Sequence, residues 1–255
     1  ILVQIGMTKI LLDLHDGTGQ LQILLKQDDL GQASFDLFTE TIDRGDFITA
    51  TGLVGLTKRH EHTLFATNWQ PLAKALRPLP DKWHGLTDTE ERFRRRYLDS
   101  LMNEEVKTRF FTRGSIITTL RAYLDQADYL EVETPLLQPL YGGASAQPFK
   151  THHEALDSTF YLRISPELYL KRMLIGGFPK VYELSRCFRN EGIDATHNPE
   201  FTMLEYYEAY SDAAKQRAFL ESLIKNLVKK ITKTNKLNYD GQTINLGEPF
   251  KVMAF

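Results

Sequence analysis

The sequence predicts a multidomain chain: a small all-β module, then a domain that mixes long helices with strands. Three observations carry this division. Short apolar runs broken by glycine-bearing turns fill residues 1–68, a proline-bearing stretch covers 69–97, and helical stripes alternate with strands through 98–255.

In the first part, Ile10-Leu11-Leu12-Asp13-Leu14 and Gln20-Leu21-Gln22-Ile23-Leu24-Leu25 flank His15-Asp16-Gly17-Thr18-Gly19, a hairpin signal. A third strand is expected from Phe47 through Leu56, where Gly52 and Gly55 suggest a bulge or a sharply coiled strand. Leu64-Phe65-Ala66-Thr67 can close the sheet. Small coiled modules of this kind include the OB-fold, which binds single-stranded nucleic acid, and also barrels that serve only packing. Trp69-Gln70-Pro71, Arg77-Pro78-Leu79-Pro80 and Trp83-His84-Gly85 then break regular structure, because prolines hold their surroundings extended.

From about Asn103 to Ala127 the pattern is helical, with Val106, Phe110, Ile117, Leu120 and Leu124 near one stripe and Gly114 as its weak point. Tyr129-Leu130-Glu131-Val132-Glu133 reads as a strand ended by Thr134-Pro135. Residues 159–164 read as a strand, and Pro166 opens a helix through Leu174. Two strands, 178–189 and 201–209, bracket a turn. A last helix over about 212–234 buries Phe219, Leu220, Leu223, Leu227, Val228 and Ile231.

Composition excludes several classes. The net charge is −2, from 31 basic and 33 acidic residues, so no global basic footprint for nucleic acid exists and local patches must supply one. Cys187 is the single cysteine, which rules out an intrachain disulfide framework and suits a reducing compartment. No stretch has the apolar length of a membrane span. His152-His153 is too short a cluster to define a zinc site. Ile1 enters mid-pattern and Phe255 stops without a tail, so both termini are expected to be missing.

The chemistry concentrates between Arg186 and Tyr207. Arg189 ends a strand just before Asn190-Glu191-Gly192, where a guanidinium can clamp a phosphate or carboxylate and Glu191 can accept from an amino group. His197 can meet terminal phosphates, and Phe201 can stack on a purine. Phe201, Met203, Glu205 and Tyr207 alternate onto one strand face, which puts Glu205 and Tyr207 about 6–7 Å apart along it. A carboxylate beside a phenol can hold an ammonium; it can equally be an ordinary ion pair at a strand edge.

Phe188-Arg189-Asn190-Glu191-Gly192 with His197-Asn198-Pro199-Glu200-Phe201-Thr202 resembles the second signature motif of class II aminoacyl-tRNA synthetases, and Met203-Leu204-Glu205-Tyr206-Tyr207-Glu208-Ala209-Tyr210 resembles its lysyl members. Lys74 to Gly85 is similar to their interdomain link, and Arg94-Arg95-Arg96-Tyr97-Leu98-Asp99 to their approach to the catalytic domain. Tyr129 to Pro135 resembles the first signature, and Gly142-Gly143-Ala144-Ser145-Ala146-Gln147-Pro148-Phe149 a loop that closes over substrate.

The resemblance implies an all-β OB-fold barrel that reads the tRNA anticodon (1–68, N-terminally incomplete), an interdomain linker (69–97) and an α+β class II catalytic domain, an antiparallel sheet flanked by helices (98–255, C-terminally incomplete). Phe35, Phe38, Phe65, Lys58 and Arg59 are nucleic-acid candidates by composition alone, and some of these aromatics must belong to the core. The implied reaction is ATP-dependent attachment of L-lysine to tRNA(Lys) through lysyl-adenylate, with Mg²⁺ neutralising phosphates, in a cytoplasmic homodimer. Arg189 is then the catalytic residue, Arg189, Glu191, His197, Asn198 and Phe201 bind ATP, and Gly142, Gly143, Glu167, Arg189, Glu205 and Tyr207 hold lysine. Pro135 belongs to the dimer interface, and no metal ligand is expected in this segment.

Departures from the pattern also carry expectations. The third signature and the acidic Mg²⁺ ligands have no counterpart before Phe255, so the 255 residues alone are expected not to aminoacylate tRNA. The first hairpin is compressed at Gly6-Met7-Thr8-Lys9, and Ser211-Asp212-Ala213-Ala214-Lys215 departs from the usual continuation. An aspartyl or asparaginyl synthetase shares the barrel and the arginine–glutamate signature, but Glu205 beside Tyr207 is ill suited to an acidic or amide side chain. A noncatalytic tRNA-binding paralogue stays open, and a paralogue that lysylates a protein is disfavoured by the N-terminal barrel.

Overall fold

Ile10 and Leu12 stand two residues apart and so share one strand face, as do Ile23 and Leu25, and all four are at most 1% exposed in the computed structural model, which describes residues 3–5, 8–79 and 86–253. The backbone forms two compact units, residues 1–107 and 108–255.

In the first unit, β1 (Val3–Ile5), β2 (Lys9–His15) and β3 (Gln20–Lys26) form antiparallel pairs. The β2–β3 turn is held by Asp16, whose Oδ1 accepts from the backbone N–H of Thr18 at 2.8 Å and of Gly19 at 3.1 Å. Two helices that composition did not signal follow, α1 (Gln27–Leu30) and α2 (Gln32–Thr41). Then come β4 (Phe47–Leu56) and β5 (His62–Ala73), and the sheet runs in the order β1-β2-β3-β5-β4. The expected bulge lies between Thr51 and Gly52, where a Cβ on Gly52 would stand 2.0 Å from the carbonyl oxygen of Phe65. Only glycine lets the two backbones approach so closely.

Phe35 and Phe38 correct an expectation. Proposed as nucleic-acid contacts, they project from α2 into the sheet core at 4% and 1% exposure, and Phe38 meets Trp69 edge-on at 4.9 Å. The break expected at Trp69-Gln70-Pro71 is likewise absent, since β5 continues through it and Trp69 donates its indole N–H to Ser34. The unit ends with α3 (Thr89–Arg94), α4 (Arg96–Met102) and the start of α5 (Glu104–Gln126). Buried Asp99 joins α3 to α4 by accepting from Arg92, Arg96 and Asn103. The expectations at Gly6-Met7 and at Pro80 to Gly85 lie outside the described residues.

Helix α5 passes through Gly114 without interruption. Its stripe is narrower than expected: Leu124 is buried, but Phe110 is 55% exposed. In the second unit, β6 (Leu130–Glu131), β7 (Leu137–Gln138), β8 (Lys150–His153) and β9 (Ser158–Leu162) precede α6 (Glu167–Ile175). The motif-bearing strands are β10 (Lys180–Phe188) and β11 (Glu200–Glu208), followed by α7 (Ala213–Thr232) and the hairpin β12 (Lys236–Tyr239) with β13 (Gln242–Asn245).

The site-bearing sheet has the order β11-β10-β6; β10 and β11 are antiparallel, but β6 joins parallel, so the sheet is mixed. A second sheet, β7-β9-β8, is antiparallel. The β10–β11 ladder runs in register from Lys180 opposite Glu208 to Phe188 opposite Glu200. Alternation gives its two faces different work. Tyr182, Leu184, Leu204 and Tyr206 pack with Leu124 and Tyr129 and with Phe219 and Leu223 of α7. Leu220, expected in the buried stripe of α7, is 44% exposed.

Candidate functional site

The other face of the β10–β11 ladder carries Glu183 opposite Glu205, Ser185 opposite Met203 and Cys187 opposite Phe201, with Val181 opposite Tyr207. Its floor is an ion pair. Arg163 Nη1 lies 2.5 Å from Glu183 Oε1, and both side chains are about 95% buried, at 6% and 5% exposure. Charges this deep need every hydrogen bond they can make. Arg163 also donates to the carbonyls of Arg186 and Thr134, and the Thr134 hydroxyl donates to Glu183.

Glu205 stands on this floor between two neutral donors: Ser165 Oγ at 2.6 Å from one oxygen and the Tyr207 hydroxyl at 2.8 Å from the other. Burial, and then the adjacent Glu205 carboxylate, push the Tyr207 hydroxyl well above the ordinary phenol range, so it remains a donor at neutral pH. Ser165 also accepts from the backbone N–H of Glu167, which sets the first turn of α6. Glu167 in turn meets Lys171 at 2.5 Å, one turn along, and the Lys171 ammonium lies 6.0 Å from the centre of the Tyr207 ring.

The loop at Gly142-Gly143 closes against the same group. Gly143 has φ +87°, and a Cβ there would stand 2.8 Å from both Ser165 Oγ and Glu167 Cβ. A side chain would therefore be strained in conformation and would displace the groups that orient Glu205. Further along this loop, Gln147 pairs with the turn after β10: its carbonyl accepts from Asn190 N–H at 2.8 Å, and its own N–H donates to Glu191 at 3.2 Å.

Arg189 is fixed by its backbone N–H to the carbonyl of Pro199, and its guanidinium lies 5.0 Å from the Phe201 ring centre. Its Nε is buried and makes no hydrogen bond to the described residues. A buried guanidinium N–H without an acceptor is costly, and an anionic ligand would supply one. Cys187 is fully buried on this face, and burial raises its thiol pKa, so it packs as a small apolar group.

His197 sits on an exposed loop, where Nδ1 lies 2.8 Å from Asp194. Asp194 also accepts from the backbone N–H groups of Thr196 and His197; these bonds, with the Thr196 and His197 side chains, hold its carboxyl far below the usual range. Asn198 is exposed beside His197, and Pro135 is exposed just past Thr134. Contacts thus bring together Gly143, Glu167, Glu205 and Tyr207 at one end, Arg189 with Phe201 at the other, and Glu191 against the glycine loop. They do not tie His197, Asn198 or Pro135 to that group. Sequence reasoning missed Glu183, Arg163, Ser165 and Asp194. Of these, Glu183 alone had a signal, since it falls in step with Ser185 and Cys187.

Residues 88–255 match the family model of class II tRNA synthetases (D, K and N), and residues 3–72 match the OB-fold nucleic acid binding domain. The chain belongs to the class II tRNA synthetases. As a class II synthetase chain it is 51% identical over 238 residues to a lysine–tRNA ligase of Carboxydothermus hydrogenoformans, which covers 93% of this chain and 49% of that protein. Lysine–tRNA ligases of Enterococcus faecalis, 52% identical over 93% of this chain and 48% of theirs, and of Methanoculleus marisnigri, 47% over 95% and 48%, are similar to it as well. The synthetase chain spans about half the length of the curated relatives it matches. No helix among its described residues is long and apolar enough to cross a membrane.

Proposed function

We propose that the chain takes part in ATP-dependent attachment of L-lysine to tRNA(Lys). The observation that carries this reading is Glu205, a carboxylate oriented by Ser165 and Tyr207 without a cation of its own among the described residues. Neutral donors fix it in place and leave its charge for an incoming ammonium. The lysine–tRNA ligase names of the relatives support the same substrate.

In this reading Glu205 and Tyr207 receive one ammonium of lysine and Glu167 the other, with the backbone of Gly142 and Gly143 closing the pocket. Arg189, through the N–H groups of its guanidinium, binds the lysine carboxylate and the α-phosphate of ATP. As the carboxylate attacks phosphorus and pyrophosphate leaves, the guanidinium stabilises the developing charge with little reorganisation, because Pro199 fixes the Arg189 backbone and the Phe201 ring already lies against the guanidinium. Glu191 accepts from the adenine amino group, Phe201 covers the base, and His197 with Asn198 meets the distal phosphates. The tRNA terminal hydroxyl then attacks the lysyl-adenylate carbonyl, the bond from that carbonyl carbon to the phosphate oxygen breaks, and AMP leaves as the lysyl ester forms.

Among the described residues no group of three or more His, Cys, Asp or Glu side chains is placed to hold a metal ion. Mg²⁺ belongs to this proposal only as the companion of the ATP phosphates, and no residue is assigned to it. The proposal extends to an anticodon-reading role for residues 1–68, a linker over 69–97, a catalytic domain over 98–255, a homodimer formed around Pro135 and a cytoplasmic location.

The test is amino-acid-dependent ATP–pyrophosphate exchange by the polypeptide that carries this sequence. Exchange is expected with lysine and not with aspartate or asparagine. Exchange driven by aspartate, or tRNA binding with no adenylate formed from any amino acid, would overturn the reading.

A further inference from the structure

Glu167 and Glu205 are both assigned above to free lysine, yet their partners differ in kind. Glu205 is held by two neutral hydroxyls. Glu167 is held by an ammonium, that of Lys171, the same chemical group as the end of a lysine substrate. That ammonium also lies 6.0 Å from the ring centre of Tyr207, the phenol that orients Glu205. The chain therefore presents its own lysine to one carboxylate and the phenol ring of the pocket assigned above to free lysine. A helix neighbour four residues along reaches Glu167 easily, so the pair forms whenever no ligand occupies the pocket.

We infer that Lys171 is an internal competitor: its ammonium occupies Glu167 until a substrate ammonium displaces it, and this competition sets the affinity and the ammonium requirement of the site. The inference rests on the lysine-pocket reading. Its physical basis is charge. With Lys171 in place, the carboxylates of Glu167 and Glu205 carry a net of one negative charge to meet a substrate with two ammonium groups. Lys171 is also 53% exposed, so its pair with Glu167 is of the weak, displaceable kind, and on release the side chain regains water. A ligand without an ammonium cannot make this exchange and leaves the internal pair closed.

The test is L-lysine binding by calorimetry to the polypeptide that carries this sequence, as wild type, Lys171→Met and Lys171→Arg. Removing the competitor is expected to tighten binding by roughly two- to fivefold, the range an exposed ion pair commands. Lys171→Arg, which keeps the charge, should stay within about twofold of wild type. A pair that serves only the helix would lower the melting temperature without tightening binding, so unchanged or weaker affinity in Lys171→Met overturns the inference and leaves the pocket reading standing. If wild type binds no lysine, the pocket reading fails and the competition with it. Lys171→Gln provides the same readout should the methionine variant not fold.

Discussion

At Glu205 a single side chain shows how local surroundings suit a residue to the binding role proposed for it. Two hydroxyl donors satisfy its oxygens without cancelling its charge, so replacing it by an amide of the same shape isolates the electrostatic part. Glu205→Gln is expected to weaken L-lysine binding by roughly 10- to 100-fold, the range for a hydrogen bond to a charged group, while leaving ATP binding nearly unchanged. Calorimetric titrations with each ligand check this; equal losses for both would show that the substitution disturbs the whole site. Glu205 and Tyr207 were legible in the sequence because strand alternation puts them on one face. Ser165 was not, because its bond to Glu205 joins residues 40 apart, and nothing in the order of residues shows which hydroxyl a sheet will bring to a carboxylate. Arg163 was hidden for the same reason: it meets Glu183 only because the backbone N–H of Phe188 bonds the Arg163 carbonyl and draws the segment after β9 alongside β10.

Among the elements, β4 and β5 depend most on one residue type at one position. Gly52→Ala would put a methyl group against the Phe65 carbonyl oxygen at the register shift, a contact with backbone that no rotamer can relieve. The variant is expected to lose about 2–4 kcal/mol of stability in chemical denaturation, comparable to the worse cases of core overpacking. Gly19→Ala, where a Cβ would have open space, serves as the control. The bulge itself was legible from glycine in a strand pattern. The length of β5 was not, because Pro71 argues against a strand. In the fold β3 pairs with β5 only from Thr63 to Ala66, and the β4 register slips between Phe47 and Ile48, opposite Pro71. The ladder around Pro71 is one-sided and irregular, so a missing N–H is tolerated there. Helix α2 escaped notice because it is 10 residues long and buries only Phe35 and Phe38, too few to establish a period.

In the molecule as a whole, each unit carries a core of its own: Ile10, Leu12, Ile23 and Leu25 with Phe35 and Phe38 in the first, and Leu124, Tyr129, Tyr182 and Leu223 in the second. Separate cores predict separate melting. Ile23→Ala, at a fully buried position, is expected to destabilise the first unit by about 2–5 kcal/mol and to move one calorimetric transition while the other stays within a degree or two. A single transition that shifts as a whole would refute that independence. Two kinds of segment were legible from composition, whereas the point at which the backbone divides into compact units carries no compositional mark. The second unit begins at Thr108, inside α5, because helical periodicity continues straight through a point where tertiary contacts change.

The in-register pairing of β10 with β11 sets which length changes the gene can tolerate. Residues 189–199 connect the strands outside the ladder, so codons can be added or lost there without altering any pair from Lys180–Glu208 to Phe188–Glu200. Within either strand a single inserted codon would exchange the faces, turning Tyr206 onto the side that carries Glu183, and Glu205 into the helical core. Variation in length among functional descendants of this chain should therefore gather between Glu191 and Asp194, clear of the turn residues given roles above, and be missing from the strands on either side.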